Sequence, residues 1–468
     1  NSNGVLNLEM YEDILRLSDV VITGEAIDEN VSQTVTGREN ITLETIQKIP
    51  ALFGEADVFN GVIALPGVNK VGEGAAGFNV RGSSVGQNLI LFDNATIYNP
   101  NHLFGFFSAF NADAIRNVTF YRGSIPAEFG GRIASVLDVE MKNGNKQEFS
   151  GVGGVGLLNS KFTLQGPIKK DTTSFIAGFR AAYPNYILNQ LENLDVQRSS
   201  SYFVDANVKI DHLINATNRV SVTGYYSRDR FNLADQVEYD YGNQSVSLLW
   251  NTTLNEDLFL DVETNISEYN YTLSDTESLQ LGSELDSRIN QISTTLNFDY
   301  FIKRHSLGFG IVANQYMVDP GTYNPSNEAS IVEPLDIEDE SGIEAALYVD
   351  DNHQINDQLS IYAGLRYSFF QGGQDGLELT NHGAEPRFSL NYRTSANSSI
   401  KLGYNRMKQY LQFVSNTTAA TPTDLWKLSN ENIQPTIGQQ VTLGFFKNYQ
   451  NNTIEASLEA FYKRTDDL

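Results

Sequence analysis

The stretch that decides the fold is Ser360–Phe369, "SIYAGLRYSF". Ile361, Ala363, Leu365, Tyr367 and Phe369 fall on one side of an extended chain; Tyr362, Gly364, Arg366 and Ser368 fall on the other. A period of two is the signature of a β-strand with one apolar and one polar face. The pattern recurs on both sides. In "DLFLDVETNI" (257–266), Leu258, Leu260, Val262 and Ile266 oppose Asp261, Glu263 and Asn265. In "NTIEASLEAFYKR" (452–464), Ile454, Ala456, Leu458, Ala460 and Tyr462 oppose Glu455, Ser457, Glu459 and Lys463.

Roughly fifteen such segments fill residues 148 to 466, many of about 12–15 residues. Soluble strands are typically about 5–6 residues long, whereas about 9–11 tilted residues cross a bilayer. Short turns at "INATN", "NED", "IKRH", "INDQ", "TSANS" and "YQNN" alternate with long polar connections expected near 183–201, 231–241, 274–287, 319–341, 371–384 and 411–435. An up-and-down outer-membrane barrel alternates in this way, with tight periplasmic turns and longer outer loops.

Composition agrees. Mean hydropathy is −0.29, and no window approaches the roughly 18 apolar residues of a membrane helix. A barrel remains open, because its polar lumen dilutes the average. The net charge of −25 argues against nucleic-acid partners, which need a basic surface. With no cysteine in the chain, disulfides and thiolate chemistry drop out. The start is not Met and no signal peptide is visible, so the expectation is a mature or truncated piece.

The first 145 or so residues have short apolar runs broken by Gly and Pro, as in a compact α/β domain. Helical spacing runs in two pieces from Leu43 to about Ile63, and "NLILFDN" and "IRNVTFYRG" look like strands. "ALPGV" (Ala64–Val68), "FNVRGSS" (Phe78–Ser84) and the run from Gln87 to Gly144, containing "RG…FGG", follow one another in a fixed order. This order resembles the plug of TonB-dependent receptors, in particular their Bacteroidetes branch. "FTLQGPI" (Phe162–Ile168) resembles the family's second barrel strand, and the opening residues resemble the tail of a small sandwich domain that precedes the plug.

The resemblance implies a mainly β protein: a transmembrane antiparallel β-barrel with an N-terminal α/β plug in its lumen. The divisions expected are 1–34 as linker and coupling segment, 35–147 as plug and 148–468 as the N-terminal part of the barrel. Family barrels have 22 strands, so about seven lie beyond the fifteen read here. The implied activity is import of a nutrient (siderophore, vitamin, oligosaccharide or peptide class) across the bacterial outer membrane, without enzymatic chemistry or cofactor. Implied partners are a TonB-type periplasmic energy-coupling protein, the ligand, membrane lipid and a surface lipoprotein. The rival is an accessory subunit of an outer-membrane complex, with the same fold and no transport.

The resemblance also assigns residues. Asp19, Val20, Val21, Ile22, Thr23 and Gly24 ("DVVITG") resemble the coupling box, which acts by strand addition; a plain linker strand is the alternative. Arg81, Arg122 and Glu128 are expected in a plug–barrel latch, ordinary ion pairing being the alternative. Gly82, Asp93, Gly123, Gly130 and Gly131 mark plug turns. The usual Asp-Gly turn is Asp93-Asn94 here, and Asn tolerates positive φ.

Other features carry less. The glycines from 72 to 82 lack the following Lys-Ser/Thr of a phosphate loop and suit packing inside a barrel. "EPLDIEDES" and Asp350-Asp351 have no EF-hand spacing and suit an acidic outer loop. His102, His212, His305, His353 and His382 show no zinc-ligand spacing. Tyr225, Tyr226, Phe369, Phe370, Tyr404 and Tyr410 suit interfacial girdles; Trp426, in a long loop, could stack on a ligand.

Overall fold

The computed structural model describes residues 28–49, 56–71, 77–374, 376–414, 424–450 and 452–467. The segment Asp19–Gly24 lies outside them.

Fifteen strands, from Ser150–Val155 to Ile454–Asp466, join in one antiparallel path in chain order, and the short strand Leu335–Ile337 adds to the side of His305–Pro325. Among the described residues, the first and last strands of the path pair with their sequence neighbours and not with each other. The alternation read from the sequence gives the faces. Leu365, Tyr367 and Phe369 are 46%, 47% and 40% exposed, while Arg366 and Ser368 are at 1% and 0%. Val246, Leu248, Ile266, Leu347 and Leu443 point out, and Asp205, Asn207, Asp229, Ser389 and Asn391 are buried inside. Apolar outside and polar inside inverts a water-soluble fold and fits a wall facing lipid.

Two long connections expected from polarity are absent. The strands Asn218–Leu233 and Val237–Thr253 leave three residues between them, and Leu359–Gln374 and Leu377–Ser395 leave two. Positive φ at Ala234 (52°) and Asp235 (58°) makes the first turn tight. Beyond the lipid belt a hairpin has water on both sides, so the apolar alternation lapses while the ladder continues.

The plug is a five-stranded sheet in the order Arg38–Ile41, Ile115–Tyr121, Ser135–Met141, Asn88–Phe92, Ala95–Thr96. Asn88–Phe92 and Ser135–Met141 are parallel. Thr42 caps the helix Leu43–Lys48 by accepting from Thr45 N at 3.3 Å. Asp57 caps Val58–Ile63 by accepting from Phe59 N at 2.7 Å, and its other oxygen accepts from Ser108 N at 2.6 Å. Phe59, Phe78, Phe110 and Phe120 meet edge-on at 5.3–5.9 Å in the core. Phe92 extends that cluster to wall Tyr225 at 5.4 Å.

Plug side chains and backbone reach Thr163, Asp229, Asn243, Tyr269, Gln291, Tyr362, Arg387, Gln409 and Thr442 on the inner face of the wall. Contacts to strands spread along the whole path place the plug within the curve. The girdle expectation fails for three aromatics. Tyr225 is buried with its hydroxyl donating to Ala109 O at 3.1 Å, and Phe370 and Tyr410 stack on each other inside at 4.7 Å. Aromatic identity marks a lipid interface only on the outward parity, which Tyr226 and Phe369 occupy.

Candidate functional site

The seam between plug and wall is built largely from polar groups. Arg81 Nη2 lies 2.8 Å from Glu459 Oε2, and Arg122 Nη2 lies 3.4 Å from Glu459 Oε1. Arg122 also pairs within the plug with Glu39 at 2.8 Å, and Arg81 donates to wall Thr442 at 3.0 Å. Burial pushes the Glu39 carboxyl above its ordinary value against the pull of Arg122, and burial lowers Arg81. Both guanidiniums are almost fully buried, so they depend on these partners.

Glu128 does not join the two arginines. It borders a cavity of about 220 Å³ shared with Asp138, Glu263 and Arg366. Burial, with Asp350, Asp299, Glu263 and Asp261 facing it, pushes its pKa up to about 8. Near neutral pH it is mostly protonated and supplies little charge to a cation. The backbone makes the contact instead: Arg366 Nη1 donates to Glu128 O at 2.9 Å, and the neighbouring Ala127 N donates to the Tyr362 hydroxyl at 2.8 Å. Arg387 reaches the Ile125 and Pro126 carbonyls. The wall thus grips the stretch 125–128 by its main chain, and sequence reading had no side-chain signal for that.

The plug turns fall into place around these contacts. A Cβ on Gly130 would lie 2.5 Å from Arg366 Nε, so the guanidinium needs a glycine beneath it. Gly82 has open space around it and a φ of +78°, so conformation rather than tight packing selects it. Gly123 lies against Thr36, and Gly131 near Glu344. Asp93 and Asn94 take φ of 44° and 72°, as a two-residue hairpin turn requires. Asp93 also accepts from Met141 N at 2.7 Å and reaches wall Thr223 (2.7 Å) and Lys209 (2.8 Å).

A histidine adds a contact the sequence did not suggest. Plug His102 has Nδ1 2.6 Å from Asp229 and Nε2 3.1 Å from Asp205, and Arg180 also pairs with Asp205. Burial alone would push the imidazole down; the two carboxylates outweigh it, and its pKa rises to about 9.

At the plug apex, Tyr98, Asn99 and Arg132 meet the connection that carries Phe413 and Trp426. Tyr98 packs edge-on against Trp426 at 5.3 Å and donates to wall Gln291 at 2.6 Å. Arg132 lies over the Trp426 ring at 5.0 Å, and Phe413 lies at 4.8 Å. They enclose a cavity of about 40 Å³. Burial raises the Tyr98 hydroxyl, which stays neutral and donating. A larger cavity, about 590 Å³, opens by the short turns and shares Asn94 and Glu263 with the one beside Glu128.

An inside-out β-wall around a polar-seamed α/β domain defines a plugged outer-membrane receptor barrel. The chain belongs to the TonB-dependent receptor family: residues 180–468 match the model "TonB dependent receptor-like, beta-barrel", and residues 26–136 match "TonB-dependent Receptor Plug Domain". It is 25% identical over 223 residues to the "Probable TonB-dependent siderophore receptor PirA" of Acinetobacter baumannii, a match covering 41% of this chain and 28% of that relative. Among solved structures it resembles the copper transporter OprC, with a TM-score of 0.71 and 10% identity over 94% of this chain and 73% of that one. The ferric yersiniabactin uptake receptor FyuA from Yersinia pestis gives 0.65 and 13%, over 92% and 72%.

Proposed function

We propose that this chain is the receptor part of an energised nutrient importer of the outer membrane. The observation that carries this is the seam. The plug is held by buried charge pairs and hydrogen bonds to the wall, which fix its position while adding little net stability. Such a seam holds until force is applied and then releases. The outer membrane has no ATP, so the work comes from a TonB-type protein spanning the periplasm, pairing with Asp19–Gly24 by strand addition. Ligand approaches at the apex, where Tyr98, Arg132, Phe413 and Trp426 are packed on one another and offer aromatic faces and a cation once they part. The cargo belongs to the siderophore, vitamin, oligosaccharide or peptide class, and a surface lipoprotein lid is compatible with the outer hairpins.

The test deletes Asp19–Gly24. Uptake is expected to stop while ligand binding and membrane insertion persist. Uptake that survives the deletion makes the segment a linker and removes the coupling role.

A further inference from the structure

No two of the five histidines share a short ligand spacing in the sequence, but the barrel register brings two together. His305 opens the strand His305–Pro325, His353 lies near the end of Glu340–Gln354, and the two are directly paired across the ladder. Their rings stack with centroids 3.9 Å apart. Asp351, two residues before His353, shares its face, and its Oδ2 lies 2.7 Å from His305 Nδ1. One ligand atom from each of the three lies within 4.8 Å of the others.

The parity of these positions sets where the trio sits. Phe309, Ile311, Leu347 and Val349 share it and are 37%, 48%, 60% and 51% exposed on the outer face. The trio therefore also faces outward, beside the short turn at Lys303-Arg304. This is the rim where the apolar belt ends, at the outer edge of a cavity that His305 and the short turn share with plug residues 32–35. Arg304, the cation next to His305, is turned to the Ile355 carbonyl at 3.0 Å.

The hydrogen bonding is incomplete at this spot. His353 Nδ1 and Asp351 Oδ1 are both shielded from solvent and lack a partner. Unmet polar atoms in a buried position call for a ligand of matching chemistry. Two imidazoles and a carboxylate form a donor set for borderline divalent metals. Metal–ligand bonds of about 2.0–2.2 Å in a tetrahedron place ligand atoms about 3.3–3.6 Å apart. Rotation of the stacked rings and of the Asp351 carboxyl covers the difference from the arrangement seen. The proton between His305 Nδ1 and Asp351 leaves as the ion takes its place.

We propose that His305, Asp351 and His353 bind one divalent transition-metal ion of the zinc, copper or nickel class at the outer rim of the barrel wall, with water completing the coordination. The ion ties two neighbouring strands on the short-turn side. It lies apart from the apex cavity formed by Tyr98, Arg132, Phe413 and Trp426.

The experiment uses the full chain, chelator-stripped and folded in nanodiscs. Zn²⁺ is titrated by calorimetry at pH 7.5 and Cu²⁺ by electron paramagnetic resonance. The expected result is one ion per chain and a Cu²⁺ spectrum carrying two nitrogen couplings. His305→Ala and His353→Ala should each weaken Zn²⁺ binding at least tenfold, and Asp351→Asn should do so to a lesser extent, while the His382→Ala control leaves it unchanged. A wild-type Cu²⁺ spectrum with one nitrogen or none overturns the site, and this result needs no variant to fold. Zn²⁺ binding that survives the paired His305→Ala and His353→Ala change also overturns it.

Discussion

The contact at His102 makes plug seating depend on pH, with a sign that can be worked out. His102 is 1% exposed and held between Asp229 and Asp205. A released, hydrated plug returns the imidazole to about 6.5, whereas in the docked plug it stands at about 9. The docked state therefore binds a proton more tightly. That stabilisation is fully present below about pH 6.5 and is lost as pH rises through about 9, and it amounts to about 3 kcal/mol. His102→Gln removes the charge, leaving Asp205 with Arg180 and the buried Asp229 without its imidazolium. The chain has no cysteine, so Ser108→Cys, at a buried plug position, gives a single thiol whose labelling reports release. At each pH the labelling rate of the reporter alone is divided by that of the reporter with His102→Gln, which cancels thiolate chemistry. At pH 6.5 the reporter alone should label about a hundredfold more slowly, following about 1.4 kcal/mol per decade. The ratio should approach one near pH 10. A ratio that stays constant from pH 6.5 to 10 refutes the reasoning, because no proton would then be linked to docking.

Two further changes probe the seam. Glu459→Gln withdraws the wall carboxylate shared by Arg81 and Arg122. Leaving buried guanidiniums short of their partner should weaken seating by about 3 kcal/mol, read as earlier plug release in urea with the barrel still folded; an unchanged midpoint would mean that the pairs do not latch the plug. Gly130→Ala puts a Cβ against Arg366, which must then leave the carbonyls of the 125–128 stretch. A loss of about 1–3 kcal/mol is expected, measured by thermal unfolding, and a neutral substitution would show that this grip is dispensable.

The alternation around Ser360–Phe369 was legible because a period of two needs no knowledge of neighbours: Arg366 and Ser368 could be assigned to the inner face from parity alone. Strand positions and the plug turn at Asp93-Asn94 were local in the same way, since φ preference and pleat are properties of the chain itself. Polarity misled at 231–241 and 371–384, because a strand that leaves the lipid no longer has to alternate. The latch shows the harder limit. Arg81 and Arg122 could be named from the plug motif, and Glu459 could be placed on an inward face, but their meeting depends on which of fifteen strands curves past the plug. Glu128 was grouped with the arginines by its motif, yet the fold surrounds it with carboxylates and leaves its backbone to make the contact. His102 with Asp229, and His305 with His353, are separated by dozens to more than a hundred residues. Sequence sets which side of its own strand each residue faces. Only the register between strands, fixed cooperatively by ladder hydrogen bonds, and the docking of the plug decide what that residue faces.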